Sequence, residues 1–291
     1  MPEYVDWFVN RAKQFLGFQK MLARETPKTI MLVEAPAEMG KTWLIQKMRH
    51  HGQTNDLPVM HVDFRDRRAH DYLYLVRLAR DQMGAHHFNP LTKIINKFTS
   101  LDINIALEST RQAGPVDVSI GDISDISGEI IIAGGDVIKD NEFYIQADSD
   151  MARRAAEIRI NDAFFTCLTA LLEKGPAVFL FDSYEDVTTE ADHWLRDHLL
   201  PRMGKEQLAQ AIVIIAGRKT PDLGPTLQAL VAKTGLTLFS EEHVREYISS
   251  RRGIEGLDLE TIIKTSGGFP GLLAKMADIA TMDTQDDDDW L

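Results

Sequence analysis

One run of eight residues constrains this chain more than any other: Ala35-Pro36-Ala37-Glu38-Met39-Gly40-Lys41-Thr42. It follows Lys28-Thr29-Ile30-Met31-Leu32-Val33, which predicts a short buried strand, and it leads into Trp43-Leu44-Ile45-Gln46-Lys47-Met48, which predicts a helix. A strand, a tight loop ending Gly-Lys-Thr and then a helix is the layout of a phosphate-binding P-loop. The backbone N–H groups of Ala37, Glu38, Met39 and Gly40, with the helix start at Trp43, would present partial positive charge to an anion. In that reading Lys41 reaches the β- and γ-phosphates and the Thr42 hydroxyl ligands Mg²⁺. Ala35 stands where the usual loop begins with glycine, and a small residue still permits the turn, though less freely. The bland alternative is a chance Gly-Lys-Thr at an ordinary strand–helix turn. A second half of the site would separate the two.

The chain supplies one. Ala177-Val178-Phe179-Leu180-Phe181 is a continuous apolar run, as expected of a strand covered on both faces, and it ends at Asp182 in Phe181-Asp182-Ser183-Tyr184-Glu185-Asp186. A carboxylate at the end of a strand beside the P-loop strand is where a P-loop protein supports its magnesium ion. A second acid three or four residues on could orient and deprotonate an attacking water, and Glu185 or Asp186 could fill that place. Ala211-Ile212-Val213-Ile214-Ile215-Ala216-Gly217-Arg218 is another buried strand with a polar exit. Arg218 either faces the ligand crevice and contacts a γ-phosphate or is an ordinary surface arginine.

Strands alternating with helices imply an α/β fold with a doubly wound parallel sheet. Helices are expected over Asp6–Ala23, Asp71–Met83, Met151–Lys174 and Trp194–Met203. A second strand is expected at Leu57–Phe64 and a last one at Thr237-Leu238-Phe239. From Ser240 the chain reads as helical, over Ser240–Arg251, Leu257–Thr265 and Gly271–Ala280. Residues 97–148 break the rhythm with alternating apolar and small or acidic residues, as in Val116-Asp117-Val118-Ser119-Ile120-Gly121. They read as a β-rich insert or ordered loop, with a disordered excursion as the alternative. The expected organisation is a P-loop domain over 1–240 carrying that insert, a small helical lid over 241–282, and an acidic tail over 283–291.

The order of parts resembles the STAND branch of the AAA+-like P-loop NTPases. The parts are Phe8-Val9-Asn10-Arg11 ahead of the loop, Gly40-Lys41-Thr42, the strand ending at Asp182, the strand ending Ala216-Gly217-Arg218, and Gly267-Gly268-Phe269-Pro270 in the helical tail. The resemblance implies that Val9, Asn10 and Arg11 lie against adenine and that Pro270 contacts the nucleotide from the lid. It implies ATP and ADP as ligands, Mg²⁺ as cofactor, and a switch in which ADP holds a closed form while ATP opens it. Open protomers would then assemble or drive an effector protein. Asn10 stands where that family usually has glycine, and no sensing repeats follow the lid, so the expectation is a bare signalling ATPase module whose effector lies elsewhere. Hydrolysis is expected to be slow or dependent on assembly.

Net charge of −12 over 291 residues speaks against a broad nucleic-acid footprint, which needs clustered Lys and Arg. Arg65, Arg67 and Arg68 form a small basic group that reads as a solvated loop. No apolar run approaches the ~20 residues of a membrane helix. The single cysteine, Cys167, cannot form an internal disulfide, and a reducing cytoplasm is the simple inference. Two other readings remain. An origin-recognition-like DNA-associated ATPase would need a basic module after the lid, where this chain has Asp286 to Asp289. An assembly scaffold independent of nucleotide would use the insert to pair strands between subunits.

Overall fold

The computed structural model describes residues 7–66, 71–97, 150–205 and 207–286. Apart from Lys97, the expected β-rich insert lies outside the described residues, as do Arg67, Arg68 and residues 287–291. The chain divides into two compact units, residues 1–87 with 168–291, and residues 88–167.

The first unit is built on five parallel strands in the order β2-β3-β4-β1-β5: β1 Ile30–Glu34, β2 Val59–Asp63, β3 Ala177–Asp182, β4 Ala211–Gly217 and β5 Val231–Gly235. Parallel neighbours need long crossovers, and helices supply them. These are α2 Lys41–Thr54, α3 Tyr72–Met83, and, between β3 and β5, α6 Thr189–Trp194, α7 Leu200–Gly204 and α8 Pro225–Gln228, while α1 Ala12–Leu22 precedes the first strand. Helix α4 spans residues 89–97 and α5 spans Asp150–Leu172. The chain closes with α9 Glu241–Arg245, α10 Leu259–Ser266 and α11 Pro270–Asp286.

Every residue of β3 and β4 is buried, which is why these strands read as unbroken apolar runs. One sheet face, carrying Met31, Val33, Val178, Leu180, Ile212 and Ile214, packs against Phe18 and Met21 of α1 and Leu44, Ile45 and Met48 of α2. The alternate residues, among them Ile30, Leu32, Phe179, Phe181, Val213 and Ile215, are buried to the same degree. Strand β4 lies between β1 and β3, so the strand carrying Asp182 is not beside the loop's strand, as expected, but one strand removed.

Helix α3 starts one residue later than expected, because the Asp71 side chain accepts from Tyr74 N–H and acts as N-cap. The last strand is displaced further. Thr237-Leu238-Phe239 is irregular, and the strand lies at Val231–Gly235, pairing with β1 from Ile30↔Val231 to Glu34↔Gly235. An edge strand is half solvated, so Lys233 and Thr234 are tolerated there and the apolar signal is diluted. The expected helix Trp194–Met203 contains a wide π-helical turn at Leu195–Leu199, and Pro201, which has no N–H to offer the preceding turn, sits just beyond it. A second wide turn, Glu246–Arg251, extends α9.

At the opposite edge, β2 does not expose a free ladder at its midpoint. The Gln82 side chain accepts from His61 N–H at 2.6 Å and donates to His61 O at 3.3 Å. The His61 Nε2 atom is buried without a hydrogen bond, and burial pushes the imidazole pKa down to about 4, with Arg49 adding repulsion. The unfolded chain takes up a proton near pH 6.5 and the folded chain does not until about 4, so this group is neutral for stability above 6.5 and destabilising as pH falls between those values. Stability should fall by up to about 1.4 kcal/mol per pH unit in that window on account of His61. Urea titrations of wild type and His61→Leu at pH 7 and pH 5 check this: the difference between the two pH values should shrink in the variant.

Candidate functional site

Because all five strands run the same way, each delivers its carboxyl end to one edge of the sheet. That edge collects the loop 35–42 after β1, Asp63 and Arg65 after β2, Asp182 to Asp186 after β3, and Arg218 after β4. A cavity of about 470 Å³ opens there.

The loop's shape comes from two left-handed residues. Gly40 has φ +83° and is the N-cap of α2, while Glu38 has φ +61° without being glycine. No side chain caps α2 and its first turn holds no acid, so the first N–H groups of the helix stay available to an anion. The Lys41 ammonium folds back over the loop and donates to Ala35 O at 2.8 Å and Pro36 O at 2.7 Å. Burial lowers its pKa, against the attraction of Glu185 and Asp182.

Asp182 is almost wholly enclosed. Its Oδ1 accepts from Ser183 N–H at 2.8 Å, and Oδ2 is buried without a well-formed hydrogen bond. Burial raises its pKa, opposed by the Thr42 hydroxyl beside it and the Ser183 N–H. Asp63 sits level with it on the neighbouring strand, held by Arg65 through Nε–Oδ1 at 3.0 Å and Nη2–Oδ2 at 2.5 Å. A half-satisfied buried carboxylate next to a threonine hydroxyl is a donor set that can hold a hard divalent cation completed by water and phosphate oxygens.

Glu185 lines the same cavity. Its Oε2 accepts from Arg218 N–H at 2.7 Å and its Oε1 from Arg218 Nε at 2.8 Å. Burial would raise the Glu185 pKa, but these bonds and Lys41 hold it below the ordinary value. Asp186, the runner-up for the water-orienting role, is exposed and does not line the cavity, and neither does Arg218.

Arg11 and Gly271 apart, the remaining lining is apolar and aromatic: Trp7, Phe8, Val9, Trp43, Phe239, Tyr247, Pro270 and Ala274. Val9 belongs to a cluster with Tyr247, Ile248 and Leu273, and Trp43 meets Tyr247 edge-on at 6.3 Å. Asn10 and Arg11 are both left-handed, at φ +63° and +68°. Asparagine tolerates that region better than most residues with a side chain. Arg11 is buried, donates to Met39 O at 2.9 Å and lies over the Phe239 ring, and burial lowers its pKa. Of the residues expected from sequence, Val9, Arg11, Ala37 to Trp43, Asp182, Glu185 and Pro270 line one cavity. Sequence reasoning missed Trp7, Phe239, Tyr247 and Ser183 and passed over Arg65, since nothing in their spacing marks aromatics and polar groups that converge from distant segments.

Two segments grip the loop. Gly271 N–H donates to Glu38 O at 2.8 Å, Lys275 pairs with Glu38 at 2.5 Å, and Arg11 holds Met39 from the other side.

No protein-family model matches the chain, and no curated protein matches it. Among solved structures it is similar to a Signal Transduction ATPase with Numerous Domains (STAND) protein with a tetratricopeptide repeat sensor from Pyrococcus horikoshii. Identity is 17% with a TM-score of 0.43, over 91% of this chain and 29% of that one. The chain thus spans under a third of that structure's length, and a likeness at this TM-score decides nothing about activity.

A Cβ on Gly271 would lie 2.7 Å from Glu38 Cβ and 3.0 Å from its Cα, too close to backbone for a side chain to yield. Gly271→Ala should therefore loosen α11 from the loop at a cost of about 1–3 kcal/mol. Amide hydrogen exchange over residues 37–41 checks this, with faster exchange expected in the variant.

Proposed function

We propose that this protein binds a nucleoside triphosphate with Mg²⁺ in the cavity at the sheet's carboxyl edge and acts as an ATP/ADP switch with slow hydrolysis. The observation that carries the reading is the pairing of an uncapped helix start behind Gly40 with the buried, half-satisfied carboxyl of Asp182 and the Thr42 hydroxyl in the same cavity. The loop amides and Lys41 cradle the phosphates. Thr42 and Asp182 would hold the Mg²⁺, which supplies charge neutralisation at the β- and γ-phosphates. The aromatic lining, with Val9 and Pro270, takes the base, and stacking rather than base-edge hydrogen bonding favours adenine only weakly over guanine. Asn10 acts through the turn that sets Arg11, and Glu185 orients the water.

The switch part rests on the grip of Arg11, Gly271 and Lys275 on Glu38 and Met39. Anything that moves the loop acts directly on α11, so α9 to α11 serve as a lid whose position reads the bound phosphate and passes it to an effector or a second copy of the chain. A DNA-associated role has no comparable support at this edge, where Arg65 pairs with Asp63, Arg218 with Glu185 and Lys275 with Glu38.

Calorimetry with Mg·ATP, a non-hydrolysable analogue and ADP tests the reading. Lys41→Ala should weaken triphosphate binding about 10- to 100-fold, the worth of a charge-assisted hydrogen bond. Asp182→Asn should leave metal-free binding intact and remove the gain from magnesium. No heat with any adenine or guanine nucleotide would end the proposal.

A further inference from the structure

Glu185 and Arg218 have separate roles in a simple reading of the site, one orienting water and the other touching the γ-phosphate. Their geometry couples them. Both carboxylate oxygens of Glu185 are taken by Arg218, one by its backbone N–H at 2.7 Å and one by Nε at 2.8 Å. Glu185 lines the cavity and Arg218 does not, so the arginine reaches the carboxylate from outside the cavity.

The contact is built into the backbone on both sides. Gly217 ends β4, where a Cβ would lie 2.4 Å from Lys219 O, 2.8 Å from Glu185 Oε2 and 3.1 Å from Tyr184 Cβ. Only glycine lets the strand end approach Glu185 this closely. On the other side, Glu185 rides on a one-turn helix, Tyr184–Asp186, entered through Ser183 at φ +57°. Tyr184 is buried and its hydroxyl bonds Asp192 of α6, which anchors the turn.

We propose that Arg218 is a positioning residue that latches Glu185 in a form unable to accept a proton, so that release of this pair sets the rate of hydrolysis. The proposal rests on the nucleotide reading above. In the unlatched form Glu185 takes a proton from the attacking water. The water oxygen bonds to the γ-phosphorus, the bond to the β-bridging oxygen breaks, and ADP leaves with that electron pair. In the latched form both carboxylate oxygens already accept strong hydrogen bonds, and their basicity is low. An approaching partner with an anionic side chain would compete for the exposed guanidinium and free Glu185.

Turnover at saturating Mg·ATP, measured beside calorimetric affinity, tests the latch. The Arg218 side chain is 55% exposed, so its ion pair is worth about as much as a surface pair, and the backbone N–H bond survives substitution. Arg218→Ala should therefore raise turnover about two- to five-fold. Wild-type turnover should rise as salt is increased from about 50 mM to 500 mM, since screening weakens the pair, and Arg218→Ala should lose that response. Arg218→Gln should behave as Arg218→Ala, and adding Glu185→Gln should abolish the gain in either background. Turnover at or below the wild-type rate in Arg218→Ala, with ATP still bound, overturns the latch, as does a gain that persists with Glu185→Gln. Absence of nucleotide binding in wild type overturns the site itself, and calorimetry distinguishes that failure from the other two.

Discussion

A sheet whose strands all run one way cannot be closed by tight turns, and that single constraint organises this molecule. Each strand must be followed by a crossover that carries the chain back to the start, so every carboxyl end falls on the same edge. Five strand ends bring together residues from positions 34 to 235 without any of them being near in sequence. Two of the three interior strands, β3 and β4, are wholly buried, which fixes them in place and makes them a rigid mount for Asp182 and Gly217.

The cost of this arrangement is concentrated in Asp182 and Lys41. Both are charged groups pulled out of water, with their pKa values pushed toward the neutral forms by burial. Lys41 offsets part of that by bonding two loop carbonyls, and Asp182 offsets part through Ser183 N–H and the Thr42 hydroxyl. What is left over, a buried carboxylate oxygen without a good partner, is the kind of local expense a protein keeps at a site that binds something. Glu185 is at the other extreme, fully partnered by one arginine. Two acids three residues apart on one strand exit thus have opposite hydrogen-bonding states, and their chemistry divides accordingly.

Much of the fold was legible because burial on two faces leaves a plain mark. The runs Val178–Phe181 and Ile212–Ala216 could be assigned from apolarity alone. The edge strand Val231–Gly235 could not, since one of its sides is wet and Lys233 and Thr234 interrupt the pattern. The Gly-Lys-Thr loop, Asp182 and Glu185 were visible as strand-exit residues. Trp7, Phe239 and Tyr247 were not, because aromatic side chains in helices and loops look the same whether they fill a core or line a cavity. The position of Asp182 one strand away from β1, with β4 between them, was equally hidden, since strand order is not encoded in local periodicity.

By itself the sequence determined the alternation of strands and helices, and it marked the loop after β1 and the acids at the exit of β3, because those depend on local composition and turn chemistry. Tertiary structure alone decided how each of those acids is partnered. Long-range approach buried Asp182 with an oxygen left over, tied Glu185 to Arg218 across 33 positions, and pinned Glu38 to Gly271 and Lys275. Such contacts join segments that only the sheet's strand order brings together, and a hydrogen bond depends on angle and distance that no spacing along the chain prescribes.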